Sequence, residues 1–126
     1  MASVINVQPS ALDLMLYAGD GVEFRLICTN SDGSPVNVNG SVRAQVRLNR
    51  DEATPELVAF DCTVLDAPGG IVHVALTGDQ TQELIDDPSV ANGKFSGVWD
   101  LEWTADDAEP RTLVQGKVEC VADVTR

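Results

Sequence analysis

Basic side chains are scarce in this chain. Eight Lys and Arg stand against 20 Asp and Glu, a formal net charge of −12. A surface this acidic repels phosphate backbones and anionic headgroups, so neither nucleic acid nor a membrane surface is expected as a partner. Long hydrophobic runs are missing too: nothing approaches the ~18 apolar residues of a spanning helix. Residues 1–10 lack the basic start of a secretory leader, so the expectation is a protein made in the cytoplasm that stays there or leaves inside an assembly. The three cysteines, Cys28, Cys62 and Cys120, are odd in number and form no CxxC, which argues against a zinc knot or a redox pair. Each falls on the apolar side of an alternating stretch, and they read as buried, reduced thiols.

Chemistry-bearing patterns are equally thin. The single histidine, His73, lies in an alternating run with no nucleophile near it in sequence, and reads as a surface residue. Asp86–Asp87 and Asp106–Asp107 fall in turns, where acids are favoured for backbone reasons. Asn30-Ser31-Asp32-Gly33 is a fragment of a calcium loop, short of the full donor set. No glycine-rich phosphate cradle and no GxSxG elbow occurs. The residues therefore nominate no catalytic group, cofactor site or metal ligand, and enzymatic activity is not expected.

What the chain does have is alternation. In KFSGVWDLEWT, residues 94–104, Phe95, Gly97, Trp99, Leu101 and Trp103 share one face, and Lys94, Ser96, Asp100, Glu102 and Thr104 the other. That is the period of a strand with one side on a core. Half of the chain's six aromatics sit here, and each buried aromatic removes roughly 150–250 Å² from water, so this strand is expected to be the centre of the fold. Trp99 and Trp103 could serve as sugar-stacking platforms, but their shared face with Phe95 and Leu101 favours burial.

The same period recurs along the chain. It predicts strands near 12–16, 22–29, 41–50, 57–65, 71–77 and 111–122, with a brief extended piece at Val36 and Val38. Turn chemistry separates them: Asn30-Ser31-Asp32-Gly33-Ser34-Pro35 and Ala67-Pro68-Gly69-Gly70 are the clearest. The period changes at DQTQELID, residues 79–86, which predicts one short helix with Asp79 as N-cap and Gln82 three residues on. With 126 residues, one domain is expected. The fold class is all-β, an immunoglobulin-like antiparallel sandwich of seven or eight strands over residues 12–126, behind an N-terminal arm at 1–11.

A family resemblance rests on pieces in a fixed order. They are Leu16-Tyr17-Ala18-Gly19-Asp20, Asp32-Gly33-Ser34-Pro35-Val36, Val42-Arg43-Ala44-Gln45-Val46-Arg47 and Gly70-Ile71-Val72. Leu76-Thr77 with Thr81 and Leu84 follow, then Trp99-Asp100-Leu101, Arg111-Thr112-Leu113 with Gly116 and Val118, and the ending Asp123-Val124-Thr125-Arg126. Together they resemble the small immunoglobulin-like domains of tailed-bacteriophage virion proteins, such as baseplate upper proteins and head-fibre or decoration modules. The resemblance implies a non-enzymatic virion part made in the bacterial host cytoplasm and bound to the major capsid protein or to tail proteins, with further copies of itself as another partner. Baseplate-type proteins continue beyond this domain, which turns the expectation toward a capsid-decorating minor capsid protein. A tail or baseplate accessory protein and a carbohydrate-binding sandwich are the alternatives. Within the arm, Val4, Ile5 and Val7 are apolar enough to bury on a partner and are the candidate docking residues.

Overall fold

The computed structural model describes residues 10–49, 55–88, 90, 92–106 and 108–122. Nine strands and one helix follow in the order β1 (Ser10–Ala11), β2 (Leu14–Tyr17), β3 (Val22–Ile27), β4 (Ser41–Arg47), β5 (Val58–Ala59), β6 (Asp61–Asp66), β7 (Ile71–Leu76), α1 (Gly78–Asp86), β8 (Lys94–Thr104) and β9 (Arg111–Val121). One sheet runs β1-β9-β8-β4-β5, with β2 also on β9; the other is β3-β7-β6. The β3-β7-β6 set facing β9-β8-β4 is the B-E-D and G-F-C pairing of an immunoglobulin sandwich. The fold class read from alternation stands.

Two strand runs are interrupted, and each interruption has a physical cause. Residues 57–65 alternate without a break in sequence, yet β5 pairs with β4 while β6 pairs with β7. The chain changes sheets at Phe60, whose N–H still donates to Ala44 O at 2.9 Å. The N-terminal run is cut at Leu12–Asp13, and both halves lie parallel to β9, the one exception to antiparallel pairing among the described residues. Ser10 and Ala11, placed in the arm by sequence, are paired with Val114 and Gln115. The extended piece at Val36 and Val38 forms no strand; Val38 is buried and held by its N–H on Ala67 O.

The core lies between the sheets. Phe95, Trp99 and Leu101 from β8 are closed to solvent, while Gly97 and Trp103 are half-buried at the margin. Phe24, Phe60 and Trp99 pack as a triangle, with centroids 5.4 to 6.4 Å apart and largely edge-on rings, the geometry aromatic quadrupoles favour. The helix begins one residue earlier than the 79–86 read from sequence, and its N-cap lies two residues earlier. Thr77, not Asp79, is the N-cap: its hydroxyl accepts from Gln80 N–H at 3.2 Å, and Gln80 Oε1 accepts from Thr77 N–H at 2.8 Å. This is a capping box on the Thr-x-x-Gln that directly follows β7.

Candidate functional site

The joints of the sandwich come first, because they account for side chains that would otherwise look like site residues. Trp99 pairs across the sheet with Gly116. A side chain on Gly116 would collide with Leu12 O, so glycine lets the N-terminal strand close in. There the Trp99 indole N–H donates to Leu12 O at 2.7 Å, and Asp13 Oδ1 accepts from Lys117 N–H at 2.9 Å. Side chains thus satisfy the backbone groups that the cut between β1 and β2 leaves open.

A second joint ties α1 to the corner after β2. The buried Thr81 hydroxyl accepts from Gly19 N–H and points its hydrogen toward Asp20 O and Gly78 O, all at 3.0 Å. At a third, Gly70 has φ 72°, and a Cβ there would meet Cys28 O and Val36 O. Bonds at the same place stitch the 28–38 loop down: Cys28 N–H donates to Gly70 O, and Cys28 O accepts from Val36 N–H.

The outer face of the long sheet is different in kind. Register places Arg43, Gln45 and Arg47 of β4, then Lys94, Ser96, Val98, Asp100 and Glu102 of β8, then Thr112, Gln115, Lys117, Glu119 and Val121 of β9 on this side. Met15 and Tyr17 of β2 extend it, opposite Glu119 and Val121. Gln45, Asp100 and Gln115 form one row across the strands. Around it is an open depression of about 460 Å³, lined by those three with Arg47, Asn49, Glu102 and Thr112 among others. Gln45 is only 8% exposed, and its Oε1 accepts from the Arg47 guanidinium at 2.8 Å. Arg43 pairs with Glu102 at 3.0 Å, and Lys94 with Glu119 at 3.1 Å.

Charge separates this face from the rest. Arg43, Arg47, Lys94 and Lys117 balance Asp100, Glu102 and Glu119 here. The only other basic residues described are Arg25, beside Glu23 on the short sheet, and Arg111, at the start of β9 opposite Trp103. Sequence reading missed this, since no local run is basic; the segregation appears only when register brings separate strands together.

The residues singled out from the sequence fall out as follows. Val4, Ile5 and Val7 lie outside the described residues. Cys28 and Cys120 are buried, Cys62 is half-buried, and all three are free. Burial raises each thiol's pKa, that of Cys120 to about 11. Trp99 is buried; Trp103 is half-buried, with Arg111 5.7 Å over its ring and its indole N–H on Asn39 O. His73 lies on the outer face of the short sheet, 3.7 Å from Glu23. In the calcium-like fragment, Asp32 Oδ1 accepts from the N–H and hydroxyl of Ser34, which lowers the Asp32 pKa and commits that oxygen to a turn. Among the described residues no three His, Cys, Asp or Glu gather in a metal-holding group, and no helix is long and apolar enough to cross a membrane.

No protein-family model matches the chain, and no curated protein matches it. Among solved structures, the sialic acid binding region of a Streptococcus sanguinis adhesin, bound to 3'sLn, is similar over 94% of this chain, with a TM-score of 0.48 and 13% identity. The chain spans 30% of that adhesin chain's length. So distant a likeness carries no inference about ligand.

Proposed function

We propose that the chain is a structural module of a tailed-phage virion, a capsid-decorating protein that works by docking to other virion proteins rather than by catalysis. What supports this reading is the sequence resemblance to phage immunoglobulin-like domains, together with where its pieces sit in the fold. Gly19, Asp20, Thr81, Leu84, Gly70, Trp99 and Gly116 are joint and core residues. The resemblance therefore spans the architecture of the whole domain rather than one short motif. Fold alone does not fix function, so the reading also draws on the acidic surface, which disfavours nucleic acid and anionic lipid as partners. Tail or baseplate attachment is the variant of the same reading. Mass spectrometry of density-purified particles tests it: the chain should be present at a fixed ratio to the major capsid or tail proteins, and its absence from particles would overturn the proposal.

A second reading, saccharide binding, is favoured by one feature. The depression around Gln45, Asp100 and Gln115 holds amide, carboxylate and guanidinium groups that suit vicinal hydroxyls. It lacks an open tryptophan face, the usual stacking partner. Titrating neutral oligosaccharides while following the amide resonances of these three residues distinguishes the readings; unmoved resonances discard the second.

A further inference from the structure

We propose that two copies of this chain meet face to face through the outer surface of the long sheet. The first argument is charge. The chain carries −12, so two copies repel in most orientations. Among the described residues, this face gathers four of the six basic side chains, Arg43, Arg47, Lys94 and Lys117, against a similar number of acids. Face-to-face approach brings two balanced surfaces together and turns the acidic helix and turns outward. A basic foreign partner would be drawn to the acidic remainder instead. A partner as acidic as the chain is what the balanced face suits, and a second copy has that chemistry by definition.

The second argument is composition and size. Met15 and Tyr17 lie on this face, 54% and 51% exposed, beside Val121. Tyrosine, methionine and arginine are the side chains enriched in protein contacts. β8 and β9 are 11 residues each. At ~3.3 Å per residue and ~4.8 Å between strands, β2, β9, β8 and β4 present roughly 500–700 Å² of flat area. That is on the order of the ~800 Å² of accessible surface each partner contributes to a stable interface.

The third argument is self-complementarity, which a two-fold contact requires. Along β8 the outward charges run from Lys94 at one end to Asp100 and Glu102 at the other. Gly97 lies midway between Lys94 and Asp100, and its level falls between Lys117 and Glu119 on β9. A half-turn about an axis crossing the strands there sets Lys94 of one copy over Asp100 of the other, and Lys117 over Glu119.

Sedimentation and light scattering of the full chain, from micromolar to millimolar, test this independently of any virion role. The dimer fraction should rise with concentration and also with salt, because screening relieves the net repulsion of two acidic chains. Tyr17→Asp and Lys94→Glu, both exposed, should each weaken the dimer roughly tenfold or more, with melting checked to confirm folding. Ile27→Asp, an exposed change on the outer face of the short sheet, should leave dimerisation unchanged. A monomer at every concentration and salt would overturn the proposal. So would a dimer that dissolves in salt, or one lost in Ile27→Asp and kept in Tyr17→Asp. Absence from virions would leave this result standing, so the two proposals fail separately.

Discussion

The joints of this sandwich and the outer face of its long sheet share strands β8 and β9 and behave oppositely. At the joints, side-chain polar groups are committed to particular backbone groups, part-buried at Thr81 and Trp99. Thr81 serves Gly19 and Asp20, Trp99 serves Leu12, and Asp13 serves Lys117. On the outer face, the charged pairs Arg43–Glu102 and Lys94–Glu119 sit in solvent, with partners 29 to 64% exposed. A closed polar group is costly to orphan, whereas a solvated ion pair contributes little. The difference teaches that fold specification and partner choice reside on different residues of one sheet, even on alternate residues of one strand.

That contrast breaks most visibly at Trp99. Trp99→Ala should cost about 3–5 kcal/mol, as large aromatic truncations do, because it empties the aromatic triangle and leaves Leu12 O without its donor. Denaturant unfolding checks it; unchanged stability would mean the central strand does not organise the core.

Thr81→Val keeps the shape and removes the hydroxyl. The part-buried bonds of the Thr81 hydroxyl to Gly19 N–H and Asp20 O are then lost, and stability should fall by about 1–3 kcal/mol, read from the same unfolding curves. A neutral outcome would show that the corner after β2 is not tied through α1.

The thiols sharpen the comparison through pH. Their folded pKa values lie above the ordinary 9.0, so protonated thiol is the form folding favours. The stability this contributes is full below about pH 9 and should be lost as pH rises toward about 11, the value for Cys120. Melting temperatures across that window should decline, and Cys120→Val should flatten the decline. At neutral pH a thiol reagent should label Cys28 and Cys120 only after unfolding, with Cys62, half-buried, the first to react on opening.

The smallest effect belongs to the outer face. Arg43→Ala should change stability by no more than about 0.2–1 kcal/mol, although its guanidinium lies 3.0 Å from Glu102.

Much of the fold was legible because alternation is a local signal. β7, β8 and β9 and the turn at 67–70 stand close to where the period and the turn residues put them. The capping box was written in the sequence as Thr77-x-x-Gln80, but reading Thr77 as the end of a strand hid it. The sheet change at Phe60 was not legible: inward and outward residues alternate straight through it, and the partner strand is decided by distant packing. Nor was the parallel pairing of β1 and β2 with β9, set by Gly116 and Trp99 far along the chain. The balanced face was invisible for the same reason, since its basic residues are spread over β4, β8 and β9.

Carboxylate footprinting by mass spectrometry, in dilute and in concentrated solution, tests most directly that the long sheet's outer face is the binding face. Asp100, Glu102 and Glu119 lie on that face, and Glu23 and Asp61 on the outer face of the short sheet serve as internal controls. The expected result is lower labelling of the first three at high concentration, with Glu23 and Asp61 unchanged. Protection of Glu23 and Asp61, with the long-sheet acids still fully labelled, would contradict the account.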